Sequence, residues 1–153
     1  MTKLWQCRNL LMRSSKKLKA SGRLAVDTNA VIAYREGISE VYTLIDEADV
    51  IILPVTVLGE LLYGALNSAK TKQNEQIIQK FAAYSLVMQV DEAVATRYAK
   101  VRFNLKKNGT PIPENDIWVA AACLELEVPL LSRDGHFNLV DGLKVINWEN
   151  TID

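Results

Sequence analysis

The chain has 153 residues, no net charge, 49% hydrophobic and 24% charged residues, the proportions of one ordinary globular domain with a real core. No apolar run approaches the roughly 18–20 residues of a membrane helix, and the short apolar stretches of the N-terminal segment, with no small-residue cleavage site behind them, do not make a secretory signal. The two cysteines, Cys7 and Cys123, are too few for a disulfide framework, so a cytoplasmic location is expected, with Cys123 a buried thiol in its apolar run.

The zero net charge hides a split. Residues 1–23 hold Lys3, Arg8, Arg13, Lys16, Lys17, Lys19 and Arg23 and no acid, which leaves 11 basic against 18 acidic residues from Leu24 onward. Residues 1–23 therefore read as a basic N-terminal extension, and residues 24–153 as an acidic domain. Such a body does not attract nucleic acid through its general field. If it acts on a phosphodiester, metal ions or the basic head must neutralise part of that charge.

From residue 23 the elements alternate. "RLAV" is a short buried strand and "NAVIAYREG" a helix that stops at Gly37. "SEVYTLIDEA" is a helix with half of a capping box, Ser39 at its start and Tyr42 where Glu is usual. "DVIILP" is a second strand, and "PVTVLGELLYGAL" a helix with Pro54 near its first turn; its two glycines permit close packing. "KTKQNEQIIQKFAAY" is a polar-faced helix and "SLVMQV" a third strand. "DEAVATRYAKVRFNLKKNG" is a long helix with acids first and Lys106, Lys107 and Gly109 last, as the macrodipole favours. "PENDIWVAAACLELE" is a further helix, "VPLLSRD" a fourth strand and "LKVINW" a fifth. Short unalternated strands between helices predict an α/β fold with a central parallel sheet of four to five strands, helices covering both faces. Sites in such sheets form outside the carboxyl ends of the strands, which is where Asp27 and Asp134 fall.

Glu60 in "VTVLGELLYGAL" and Asp116 in "PENDIWVAAACLEL" sit in helices too apolar to be fully exposed, so each acid needs a partner. Each has a plainer reading alone. Asp27 fits a helix N-cap, as does Asp116 or its neighbour Asn115; Glu60 fits an ion pair with Lys or Arg, or solvent; Asp134 fits a turn. Together, four acids with few basic neighbours repel one another unless a divalent cation lies between them, and hard oxygen ligands suit Mg²⁺ or Mn²⁺.

The order "AVDTN", "GELLYG", "ENDIWVAAAC", "PLLSRDGHF" resembles the PIN-domain ribonucleases, most closely the VapC-type toxins of toxin–antitoxin pairs. The resemblance spans residues 24–148 and leaves the basic head outside. It implies a PIN-like three-layer α/β/α domain in which Asp27, Glu60, Asp116 and Asp134 form the catalytic acidic constellation. Asp27 and Asp116 would be the main ligands of Mg²⁺ (or Mn²⁺), and Glu60 and Asp134 would complete the site directly or through water. Thr28 and Asn115 match the polar positions beside the acids, and Ser132 the usual Thr or Ser after the strand. Thr28 and Asn29 are expected to support Asp27. The resemblance further implies metal-activated hydrolysis of RNA to a 5′-phosphate and a 3′-hydroxyl, a homodimer, and a small antitoxin protein that blocks the site.

Arg133 is the expected RNA-phosphate contact, whereas Arg97, Lys100, Lys106 and Lys107 read as a solvated helix face. Trp118, Tyr63 and Tyr34 follow aliphatic spacing and read as core. The single histidine, His136, reads as a turn or packing residue beside Phe137. Two rivals stand beside the nuclease reading. A haloacid-dehalogenase-like phosphatase would want an acid where Asn29 stands. A non-catalytic interaction module would use "LLYGAL" and the surfaces near Tyr34 and Tyr42 for a partner.

Overall fold

The structure, a computed structural model, describes residues 22–150. The basic extension therefore lies outside the described residues except for its last two positions. Five strands, β1 (Arg23–Val26), β2 (Val50–Pro54), β3 (Leu86–Met88), β4 (Leu130–Leu131) and β5 (Val145–Ile146), form one all-parallel sheet in the order β3-β2-β1-β4-β5. Six helices connect and cover it: α1 (Thr28–Arg35), α2 (Ser39–Glu47), α3 (Val55–Leu66), α4 (Thr71–Ala83), α5 (Glu92–Lys107) and α6 (Glu114–Leu126). The predicted α/β architecture is thus the observed one, in three α/β/α layers.

The strands are short, and their burial follows their place in the sheet. Ala25, Val26, Ile52, Leu53, Leu130 and Leu131 in the three central strands are all but inaccessible, because helices cover both faces and remove the usual alternation. At the edge, Leu86 of β3 is exposed. The order reverses direction at β1: the chain moves outward to β2 and β3, then returns to place β4 on the other side of β1. The β1–β4 boundary is therefore the topological switch point, where a parallel sheet opens a crevice beyond its carboxyl ends.

Several local expectations are corrected. Ser39 is the first residue inside α2 rather than its cap; Ile38 holds the cap position without a side-chain bond, and the Ser39 hydroxyl donates to Glu40. Neither Asn115 nor Asp116 caps α6, because the cap position falls on Pro113. Gly59 and Gly64 of α3 have open space where a Cβ would project, so they do not serve close packing among the described residues. Tyr63 beside them is 68% exposed and not core. Tyr34 is buried and stacked on Tyr42 with ring centroids 4.5 Å apart; these rings serve the chain's own core rather than a free docking face. Trp118 is half-buried and stacks on Tyr98. Cys123 is buried, as expected.

Candidate active site

β1 ends at Val26, and the next residue, Asp27, starts α1 as its N-cap. Its carboxylate Oδ1 accepts from the Thr28 backbone N–H at 2.8 Å. The cap expectation is correct, but it uses only one oxygen. Oδ2 accepts from the Ser132 hydroxyl at 2.9 Å and from Asn29 Nδ2 at 3.2 Å. Ser132 is the first residue after β4, so the bond crosses the switch point. Asp27 and Ser132, 6% and 0% exposed, are the buried polar residues among those described, and each is satisfied by the other.

Glu60 projects from the second turn of α3. Its Oε2 accepts from Thr28 Oγ1 at 2.6 Å and its Oε1 from Asn115 Nδ2 at 2.9 Å. Of the plain readings of Glu60 alone, an ion pair with Lys or Arg is not what these bonds show: its partners are a hydroxyl and an amide, one from each flanking helix. The contact of α3 with α6 thereby ties Glu60 to the first turn of α6, which carries Asp116. Asp134 caps a 3₁₀ turn (Gly135–Leu139): its Oδ1 accepts from the His136 N–H at 2.9 Å, and its own N–H donates to Ser132 Oγ at 3.0 Å.

His136 lies in a turn, as expected, within Gly135–Leu139, but the sequence reading missed what its ring touches. The neighbouring Phe137 is fully buried, whereas the His136 side chain is half-exposed. Its ring nitrogen Nδ1 lies 3.2 Å from Asp116 Oδ2 and 3.2 Å from Asp134 Oδ1. The signal that could have found it is its place two residues after an acid at a strand end, within one 3₁₀ turn. Arg133 points to the surface and pairs with Glu149 at 3.4 Å. On the long helix α5, Arg97 pairs with Glu125 of α6.

The electrostatics follow from this crowding. Burial pushes the Asp27 carboxyl up to about 6, because its charged form loses water. The Thr28 and Ser132 bonds pull it back in part, and the charges of Asp116 and Glu60 add to the rise. Asp116 is also raised, first by burial and then by the Asp134 charge, with His136 opposing. Beneath the site, burial pushes the Cys123 thiol up to about 12, with the Asp27 charge adding to it; this cysteine is inert. Among the described residues no Lys or Arg pairs with any of the four acids. Carboxylates whose one basic neighbour among the described residues is His136 have donor oxygens suited to a hard divalent cation. Asp116, Asp134 and His136 each offer a ligand atom, all within 4.8 Å of one another.

The PIN-domain family model matches residues 24–143, and the chain belongs to that family, whose fold its five-stranded parallel α/β domain shares. It is similar to Ribonuclease VapC5 of Mycobacterium tuberculosis, 29% identical over 122 residues that span 76% of this chain and 87% of that protein. It is similar also to Ribonuclease VapC1 of Haemophilus influenzae, 27% identical over 128 residues, 80% of this chain and 96% of that one. Its fold matches a chain in the crystal structure of VapBC2 from Rickettsia felis bound to a DNA fragment from their promoter, with a TM-score of 0.76 and 22% identity over 82% of this chain and 98% of the other.

Proposed function

We propose that this chain is a divalent-cation-dependent endoribonuclease, using Mg²⁺ or Mn²⁺, and the toxin of a VapBC-type toxin–antitoxin pair. The observation that supports this reading is the cluster of Asp116, Asp134 and His136, whose ligand atoms lie within 4.8 Å of one another; Asp27 and Glu60 lie outside that cluster but beside it, held by Ser132, Asn29, Thr28 and Asn115. The names of the relatives, both ribonucleases, support the reaction class.

In this reading Asp27 and Asp116 hold the cation, and Glu60 and Asp134 complete its shell directly or through water. A divalent cation held by these carboxylates would supply Lewis acidity, for activating water and for offsetting charge on the scissile phosphate and the leaving oxygen. The chain's own groups set the geometry. Ser132 and Asn29 fix one oxygen of Asp27 and the Thr28 amide fixes the other; Thr28 Oγ1 and Asn115 Nδ2 hold Glu60. Arg133 leaves its exposed pair with Glu149, which costs little, to contact an RNA phosphate. The products are a 5′-phosphate and a 3′-hydroxyl. Residues 24–153 form the catalytic domain and residues 1–23 a basic extension; the chain works in the cytoplasm as a homodimer held in check by a small antitoxin protein.

The test is cleavage of a mixed RNA by the purified chain with Mg²⁺, with Mn²⁺ and with EDTA. Wild type is expected to cleave only with a cation, and Asp27→Ala to lose at least about a hundredfold of that activity while its circular dichroism stays unchanged. Equal cleavage by Asp27→Ala in EDTA overturns the mechanism. Release of inorganic phosphate from a small phosphoester, with RNA left intact, replaces it with the phosphatase reading.

A further inference from the structure

The family resemblance assigns the site to oxygen ligands alone, yet the only histidine of the chain stands in it. His136 is held there by three features of the fold. The Asp134 carboxylate accepts from the His136 backbone N–H and fixes the turn. The next residue, Phe137, is fully buried and anchors that turn in the core. The ring then projects back across the crevice, its Nδ1 equidistant, at 3.2 Å, from Asp116 on α6 and Asp134 after β4.

That spacing matches a coordination sphere. Two ligands on adjacent corners of an octahedron, each about 2.1 Å from the ion, lie about 3.0 Å apart. The imidazole is 47% exposed at the rim, so cations reach it from solvent without rearrangement of the core. A neutral nitrogen donor also changes what the site prefers. Both Mg²⁺ and Mn²⁺ accept carboxylate, carbonyl and water oxygens, but Mn²⁺ is the transition ion of the two and is the one that gains from a nitrogen donor.

We propose that His136 is a metal ligand, completing with Asp116 and Asp134 a mixed nitrogen–oxygen triad that makes the site select Mn²⁺ over Mg²⁺. The inference rests on the cation site of the proposed function and adds a nitrogen ligand and a cation preference to it. Asp116 links the two parts of the site: its Oδ2 faces His136, and it lies within the field of Glu60 and Asp27.

The experiment is calorimetric titration of the metal-stripped full chain with MnCl₂ and with MgCl₂, without RNA. Wild type is expected to bind Mn²⁺ more tightly than Mg²⁺. His136→Ala should weaken Mn²⁺ binding by at least about tenfold and change Mg²⁺ binding by less than about twofold, erasing most of the preference. A second readout needs no variant. With one histidine in the chain, the ¹⁵N resonance of Nδ1 in the labelled wild type is unambiguous and should shift strongly on adding diamagnetic Zn²⁺. Unchanged Mn²⁺ affinity in a folded His136→Ala, or an Nδ1 resonance that ignores Zn²⁺, overturns the role of His136 and leaves the carboxylate site standing. Wild type that binds neither Mn²⁺ nor Mg²⁺ overturns the carboxylate site as well.

Discussion

Asp27 has two tasks with opposite electrostatic costs. As a cap it accepts a backbone N–H, which favours its charge; as a buried group beside Asp116 and Glu60 it resists that charge, and burial wins. A carboxyl raised from 3.8 to about 6 binds its proton more tightly in the folded chain than in the unfolded one between those pH values. Its contribution to the metal-free protein is therefore greatest below about pH 4 and is lost as pH rises through about 6, on the order of 3 kcal/mol in all. Urea unfolding of metal-stripped protein between pH 4 and 7.5 should show wild type losing stability relative to Asp27→Asn as pH rises; parallel curves would mean that Asp27 is not perturbed. Asp27 was legible because a strand end followed by a helix start is a local pattern. His136 was not, since its neighbours Asp116 and Asp134 become neighbours only when α6 and the 3₁₀ turn meet.

The elements carry their own signals with uneven fidelity. Helix α5 shows both of its expected ends, with Asp91 accepting from the Val94 N–H and Lys106 and Lys107 in the last turn. Helix α6 ends less comfortably. Glu127 adopts φ 54°, the one described non-glycine residue with positive φ, while Val128 N–H bonds back to the Cys123 carbonyl. A side chain in this left-handed conformation costs about 1 kcal/mol, which glycine avoids. Glu127→Gly should therefore raise unfolding stability by about 0.5–1 kcal/mol; a loss of stability would mean that the Glu127 side chain contributes more than the backbone strain removes. Helix α3 illustrates the limit of periodicity. Its apolar residues outnumber those one face can bury, so Tyr63 and Leu66 remain exposed, and no spacing in the sequence says which ones. The glycines of the same helix lie open for the same reason.

At the scale of the molecule, strand order does the assembling. Residues 27 and 132 are joined by a hydrogen bond across 105 positions of sequence because β4 returns to lie beside β1. The same return sets carboxylates close enough to repel one another, a repulsion that His136 offsets only in part in the metal-free fold. Saturation with a cation at about 100 times its Kd should stabilise the fold by about 2.7 kcal/mol, a rise in Tm of roughly 5–10 °C for a domain of this size. Thermal unfolding with and without Mn²⁺ checks this: wild type should shift, and Asp27→Ala, which keeps only part of the ligand set, should shift less. An equal shift in both would place the cation elsewhere. The described helices include none long and apolar enough to cross a membrane.

The sequence by itself determined the alternation of strands and helices, the parallel sheet and the placing of Asp27 and Asp134 beyond strand ends, because strand burial, helix caps and strand-end residues are local or periodic features of the chain. Only the tertiary structure decided what each acid touches. Glu60 meets a hydroxyl and an amide instead of a basic side chain, Ser132 is buried against Asp27, and His136 enters the carboxylate cluster. Those contacts depend on the strand order and on the packing of α3 against α6, which bring together residues that no local pattern connects.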